Sequence, residues 1–176
     1  MTLKKLAVFC GSSAPKNDHF FNEIQLFLNS LFSINNYEII YGGANIGVMG
    51  AVADIALKNG LLVYGVMPEF LQQREVDHKG LSGFELCETM HERKEKMYLL
   101  SDAFLILPGG FGTLDEFFEI LTWRQLSLHQ KPIYLLNIDG FYDGVISHIQ
   151  SMERMGFISS SDTSLVKIVS KAEDLA

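Results

Sequence analysis

The chain predicts a doubly wound α/β domain of three layers, a parallel sheet between helices, on three observations. Strand-like apolar segments alternate with segments of helical period from one end to the other. Most strand segments are apolar at every position, the pattern of strands buried on both faces of a parallel sheet. Glycine clusters directly follow two strands and open the next helices, at the sheet edge where such folds bind ligands.

Each element has its own signal. Leu6–Cys10 reads as the first strand, and Phe20, Phe21, Ile24, Phe27, Leu28 and Leu31 then recur on one helical face. Tyr37–Tyr41 is the second strand, leading into Gly42-Gly43; Val48, Val52 and Ile55 mark a helix that Asn59-Gly60 ends as a C-cap pair. Leu61–Met67 is the third strand, stopped by Pro68. Glu69–Gly83 is polar and weakly periodic, an excursion over the surface. Phe84–Cys87 is a short strand, and Thr89-Met90-His91-Glu92 has the form of a capping box opening a helix through Leu100. Ala103–Leu107 is the next strand, halted by Pro108-Gly109-Gly110; Leu114, Phe117, Phe118 and Leu121 then line a helical face. Pro132–Asn137 is a continuous apolar strand, Phe141–Met155 a helix, and Leu165–Val169 a last strand at an edge. With right-handed crossovers these elements form one Rossmann-like domain over residues 1–176.

Composition narrows the function. The 176 residues suffice for one domain and its core, since domains run to about 100–150 residues. Hydrophobic residues make up 48% and charged ones 20%, which excludes a chain that stays unfolded. Lys+Arg number 14 against 21 Asp+Glu, a net charge of −7, so no cationic surplus exists to displace the counterions of nucleic acid. No apolar run reaches the roughly 20 residues of a membrane span. The stretch Leu6–Cys10 behind two lysines is shorter than the roughly 7–15 residues of a signal-peptide core. Cys10 and Cys87 lie in strand-like segments, which predicts buried thiols in a reducing, cytoplasmic compartment over a disulfide. The histidines form no ligand cluster, and His91-Glu92-Arg93-Lys94-Glu95 carries Glu where a zinc-protease helix needs its second His. No metal site is expected.

Seven of the 15 glycines crowd into two windows, at 42, 43, 47 and 50 and at 109, 110 and 112. Glycine lets a ligand approach the backbone, and a helix N-terminus behind it presents unpaired N–H groups suited to phosphate. Neither window has Walker spacing or G-x-G-x-x-G, which disfavours a triphosphatase or a nicotinamide dehydrogenase. Gly11-Ser12-Ser13 after the first strand adds hydroxyl and N–H groups to the same crevice, so Ser12 and Gly43 are candidate contacts. Two residues read two ways. Thr113-x-x-Glu116 is itself a capping box, yet it lies on the ligand edge of the sheet; spacing leaves both open. Arg93-Lys94 fits a solvated helix face with Glu92, Glu95 and Lys96, yet Arg93 follows a strand end where a guanidinium pairs with phosphate or carboxylate. Glu75, in the polar excursion, is a further candidate contact.

Together, Cys10-Gly11-Ser12-Ser13, Gly42-Gly43 through Gly50, Met90-His91-x-Arg93-Lys94, Pro108-Gly109-Gly110-x-Gly112-Thr113-x-x-Glu116 and Leu135-Leu136-Asn137-x-Asp139-Gly140-Phe141-Tyr142 resemble the LONELY GUY family. These are cytokinin-activating phosphoribohydrolases, often mislabelled lysine decarboxylases. The Arg-Lys pair combined with PGGxGTxxE is specific to the family; Ala44 departs from it, standing where a third glycine is common. The resemblance implies one nucleotide-binding domain that hydrolyses the N-glycosidic bond of a nucleoside 5′-monophosphate. The base is an N6-prenylated adenine or, with AMP, adenine itself, and the products are free base and ribose 5-phosphate. No metal or organic cofactor is implied. Arg93 and Glu116 match the catalytic pair, and Lys94, Gly110, Phe111, Gly112, Thr113, Leu114, Asp115 and Thr122 match substrate-binding positions. A homodimer or larger assembly is implied, with the site completed near the subunit interface. A non-catalytic carrier of a nucleotide or of the molybdenum cofactor on the same scaffold is the second reading, and the presence of both Arg93 and Glu116 tilts against it.

Overall fold

The computed structural model describes residues 4–72 and 78–175. Seven strands form the sheet: β1 (Lys4–Phe9), β2 (Tyr37–Tyr41), β3 (Leu62–Pro68), β4 (Gly83–Cys87), β5 (Ala103–Ile106), β6 (Ile133–Leu136) and β7 (Val166–Val169). All neighbours pair in parallel, in the order β4-β3-β2-β1-β5-β6-β7. β1 is central, with Leu6 in register between Ile39 of β2 and Ala103 of β5.

The connecting helices are α1 (Asp18–Ile34), α2 (Gly47–Lys58), α3 (Glu69–Gln72), α4 (Met90–Leu100), α5 (Phe111–Gln125), α6 (Asp143–Arg154) and α7 (Ser160–Thr163). Side chains alternate across β1 and divide the core in two. Leu6 and Val8 pack with Ile24 and Leu28 of α1 and with Val52 of α2. Ala7 and Phe9 pack on the other face with Met97 of α4, Phe117 of α5 and Ile149 of α6. That is the three-layer arrangement expected from continuous apolar strands. Cys10 and Cys87 are free, buried thiols, and no helix among the described residues is long and apolar enough to cross a membrane.

Helix boundaries follow local chemistry. The Asn17 side chain accepts from the Phe20 N–H at 3.2 Å to start α1. Leu61 N–H donates to the Ala56 carbonyl at 3.0 Å and Gly60 N–H to Leu57 at 2.9 Å, with Gly60 at φ +77°; this is the Schellman stop of α2. Thr89 caps α4 by accepting from Glu92 N–H at 3.1 Å, while Glu92 itself takes the Glu88 N–H at 2.8 Å. Three details depart from the sequence reading. β4 exposes Phe84, Glu85 and Leu86 because it is an edge strand. The excursion after β3 begins with the single turn α3, and α7 precedes β7.

Candidate active site

Strands β2 to β4 extend to one side of β1 and β5 to β7 to the other. Chain progression therefore reverses between β1 and β5, and a crevice opens at their carboxyl ends. Gly11 follows β1 and Pro108-Gly109-Gly110 follows β5. The two turns are tied together: Gly11 N–H donates to the Pro108 carbonyl at 3.2 Å, and Leu107 N–H to Phe9 at 2.9 Å. From below, the Tyr142 hydroxyl donates to the Leu107 carbonyl at 2.8 Å. A Cβ at Gly109 would strike the Thr113 hydroxyl and lie 2.8 Å from the Gly11 nitrogen, so only glycine fits between the turns.

α5 starts at Phe111 with Gly110 as its N-cap, and Leu114 N–H is the first to reach back, to the Gly110 carbonyl at 3.1 Å. The N–H groups of Phe111, Gly112 and Thr113 precede that first bond, so the helix supplies them no acceptor, and they carry the positive end of its dipole. A Cβ at Gly110 or Gly112 would meet nothing within 4 Å. These glycines leave room at the helix start; none of them has a positive φ, unlike Gly43 (+82°) and Gly47 (+56°). The capping-box reading of Thr113 and Glu116 falls here, because Thr113 is the third helical residue and not the cap. Both residues belong to the inward stripe Thr113, Glu116, Phe117 and Ile120. One turn of that stripe is polar, where the helix leaves the core and enters the crevice.

Opposite lies α4, which buries Arg93 rather than presenting it to solvent. Arg93 and Glu116 are each 6% exposed, and Arg93 Nη1 stands 3.6 Å from Glu116 Oε1. Arg93 Nε donates to the Val66 carbonyl at 3.1 Å. Burial pushes the Glu116 carboxyl up to about 7, with the Arg93 charge pulling against it. A group so placed exchanges a proton near neutrality. Burial, reinforced by the Glu116 charge, pushes the Cys10 thiol strongly up, so Cys10 is a neutral wall residue. Arg93, Glu116, Ser12, Gly110, Phe111, Gly112 and Thr113 line one cleft of about 280 Å³. Cys10, Met49, Leu71 and Met90 also line it; these apolar walls had no signal in the sequence beyond their hydrophobicity. A cavity of about 420 Å³ near Tyr64, Phe84, Leu100 and Lys5 is larger, but neither Arg93, Glu116 nor the turns after β1 and β5 line it.

The remaining expected contacts lie elsewhere. Gly43 packs in a turn where a Cβ would come 2.8 Å from the Phe84 ring, and its carbonyl accepts the His78 N–H at 3.1 Å. The N–H groups of Val48 and Met49, at the start of α2, donate to the Gly11 carbonyl at 3.1 and 3.3 Å. The first glycine window is therefore occupied by protein, and the second is open. Lys94 is buried and ion-paired to Asp115 and Glu119, each at 3.0 Å, which ties α4 to α5. Leu114, Asp115 and Thr122 line a shallow hollow on the outer side of α5, and the Thr122 hydroxyl donates to the Phe118 carbonyl at 2.7 Å. Glu75 lies outside the described residues.

A family model described as a possible lysine decarboxylase matches residues 49–176. The chain is 37% identical over 172 residues to cytokinin riboside 5′-monophosphate phosphoribohydrolase LOG1 of Arabidopsis thaliana, spanning 98% of this chain and 80% of that one. It is 38% identical to LOG3 of the same plant over the same shares. Among solved structures, the molybdenum cofactor carrier protein of Chlamydomonas reinhardtii superposes with a TM-score of 0.70 at 16% identity, over 98% of this chain and 93% of that one. The molybdenum cofactor binding protein of Rippkaea orientalis gives 0.68 at 22%, over 99% and 94%. At those identities the structural likeness shows the fold alone. Decarboxylation through pyridoxal phosphate needs a free lysine amine facing the cleft. Among the described residues no lysine lines it, and Lys94, next to Arg93, is held between two carboxylates; the site does not fit that cofactor.

Proposed function

The chain belongs to the LONELY GUY family of cytokinin riboside 5′-monophosphate phosphoribohydrolases, and on that premise we propose how it hydrolyses a nucleoside 5′-monophosphate to free base and ribose 5-phosphate. The observation that carries the reading is the buried Arg93–Glu116 pair at 3.6 Å, facing the open N-terminus of α5 across one cleft. The 5′-phosphate rests on the N–H groups of Phe111, Gly112 and Thr113, with Ser12 beside it. Each charge-assisted hydrogen bond there contributes about 1.5–3 kcal/mol. The C1′–N9 bond breaks, its electrons pass to N9 of the base, and positive charge spreads over C1′ and the ring oxygen. The ionised Glu116 carboxylate faces that charge and takes a proton from the water that adds to C1′; an equivalent proton is returned through solvent to N9, so the base leaves as the neutral N9–H species and Glu116 is ionised again. Arg93 holds Glu116 ionised against burial and contacts the sugar or phosphate.

We extend the proposal to the assembly and its setting. AMP and N6-prenylated AMP are both accepted as substrates, and the whole chain acts as one nucleotide-binding unit. A homodimer is supported by exposed apolar residues at the two ends of α5: Phe111, at its start, is 94% exposed, and Leu126 and Leu128, just beyond its end, are each 64% exposed. Phe111 shares a hollow on α5 with Leu114, Asp115 and Thr122, which a second copy would bring to the rim of a site. The free thiols Cys10 and Cys87 support a reducing, cytoplasmic setting.

Incubation with AMP and with N6-isopentenyladenosine 5′-monophosphate tests the reaction, with base and ribose 5-phosphate quantified by chromatography. Equimolar release of both products is expected. Tight binding of molybdenum cofactor with no base released from any monophosphate would replace this reading with the carrier.

A further inference from the structure

We infer that Gly42 is a positioning residue for Arg93: the missing side chain at the end of β2 is the socket that seats the guanidinium against Glu116. The kinetic consequence rests on the phosphoribohydrolase reading; the socket rests on geometry alone.

A Cβ built at Gly42 would fall on Arg93 Nη2, 3.2 Å from Arg93 Cζ and 3.0 Å from Met49 Sδ. The backbone gives no other reason for glycine, since Gly43 and Gly47 have positive φ and Gly42 does not. Space is the reason. A long side chain ordinarily yields to a new methyl by swinging its far end aside, but Arg93 is pinned. It is 6% exposed, its Nε donates to the Val66 carbonyl at 3.1 Å, and its Nη1 faces Glu116 at 3.6 Å and Met90 Sδ at 4.0 Å.

The sheet register explains how the socket arises. β2 carries bulky residues up to Tyr41, which pairs with Gly65 of β3. One residue further along both strands stand Gly42 and Val66. One strand end supplies the gap and its neighbour supplies the carbonyl that orients the guanidinium. The first glycine window thus has a task in the chemistry without touching the substrate. The Arg93 charge is also what opposes the burial of Glu116, so displacing the guanidinium leaves the Glu116 proton harder to remove.

The experiment compares Gly42→Ala, Arg93→Lys and the double variant. Gly42→Ala is expected to lower kcat by about tenfold or more with KM within about threefold. Its acid-side pH limb moves upward. In the Arg93→Lys background, where Nη2 is gone, adding Gly42→Ala changes kcat by less than about threefold, the mark of two residues acting as one. Gly144→Ala, on α6 with nothing within 4 Å of a new Cβ, leaves activity at its starting level.

An unmoved pH limb with unchanged kcat in Gly42→Ala, or an undiminished loss in the Arg93→Lys background, overturns the proposal. Should Gly42→Ala fail to fold, recovery of folding in the double variant supports the socket, and its absence overturns it. Should the unaltered protein release no base, the reaction reading falls and the socket is tested separately. The Arg93 Nε–H resonance is then expected to exchange slowly in the unaltered protein and rapidly in Gly42→Ala; equal exchange in both overturns it.

Discussion

Replacing Glu116 by Gln keeps the shape and size of the side chain and removes its ability to ionise. The unfolded carboxyl titrates near 4.5 and the folded one near 7, so between those values the native state binds more protons than the unfolded chain. Stability is full below 4.5 and falls as pH rises through 7, because a charge must then be held in a buried site. At about 1.4 kcal/mol per tenfold change in proton affinity, the fall is on the order of 3 kcal/mol. Gln imitates the protonated acid and escapes it. Glu116→Gln should therefore match the unaltered protein in denaturant midpoint at pH 4.5 and exceed it at pH 8, by up to roughly 3 kcal/mol. Its kcat should drop by about 10²–10⁴-fold, with nucleotide affinity within a few-fold by calorimetry. The acid limb near pH 7 should disappear with the catalytic carboxylate. Turnover close to that of the unaltered protein, or an equal stability gain at both pH values, would refute the reasoning.

Three further substitutions probe separate parts of the site. Gly110→Ala adds a methyl that meets no protein atom within 4 Å, so thermal stability should hold while nucleotide Kd rises by about tenfold, roughly one lost phosphate hydrogen bond; unchanged affinity would remove the phosphate from this loop. Lys94→Met leaves Asp115 and Glu119 without their shared cation. It should destabilise the protein by about 1–3 kcal/mol in urea unfolding and lower kcat more than it raises KM, whereas a rise in KM alone would make Lys94 a substrate contact. Tyr142→Phe deletes the 2.8 Å hydrogen bond to the Leu107 carbonyl and should cost about 1–2 kcal/mol. No change in its melting temperature would show that this bond does not hold the turn after β5.

The seven strands were legible as short, mostly apolar runs bounded by glycine, proline or polar residues, and the continuous apolarity of Leu6–Cys10, β5 and β6 implied cover on both faces; β4 and β7, which carry Glu85 and Lys167, are the edges. Cap chemistry at Asn59-Gly60 and Thr89 was legible because it is local. The turn at Pro108-Gly109-Gly110 was also legible, and with it the start of α5. What periodicity could not supply was the role of Glu116, since a capping box and an acid at the cleft share one spacing. Only the position of the helix start, at Phe111 and not after Thr113, separates them. Arg93 was ambiguous for the same reason: in sequence it sits among Glu92, Lys94, Glu95 and Lys96, and only the packing of α4 on the sheet buries it.

The amino-acid sequence by itself determined the fold class, the order of the seven strands and the longer helices between them, and the two glycine windows, all of which depend on residues close together along the chain. The tertiary structure alone decided which window stays open. The start of α2 donates to the Gly11 carbonyl and the start of α5 does not, although the strands that lead into these helices, β2 and β5, both neighbour β1. It also decided that Gly42, 51 positions before Arg93 in the chain, makes room for that guanidinium. Steric exclusion and burial act between groups that are distant in sequence, and no local pattern records them.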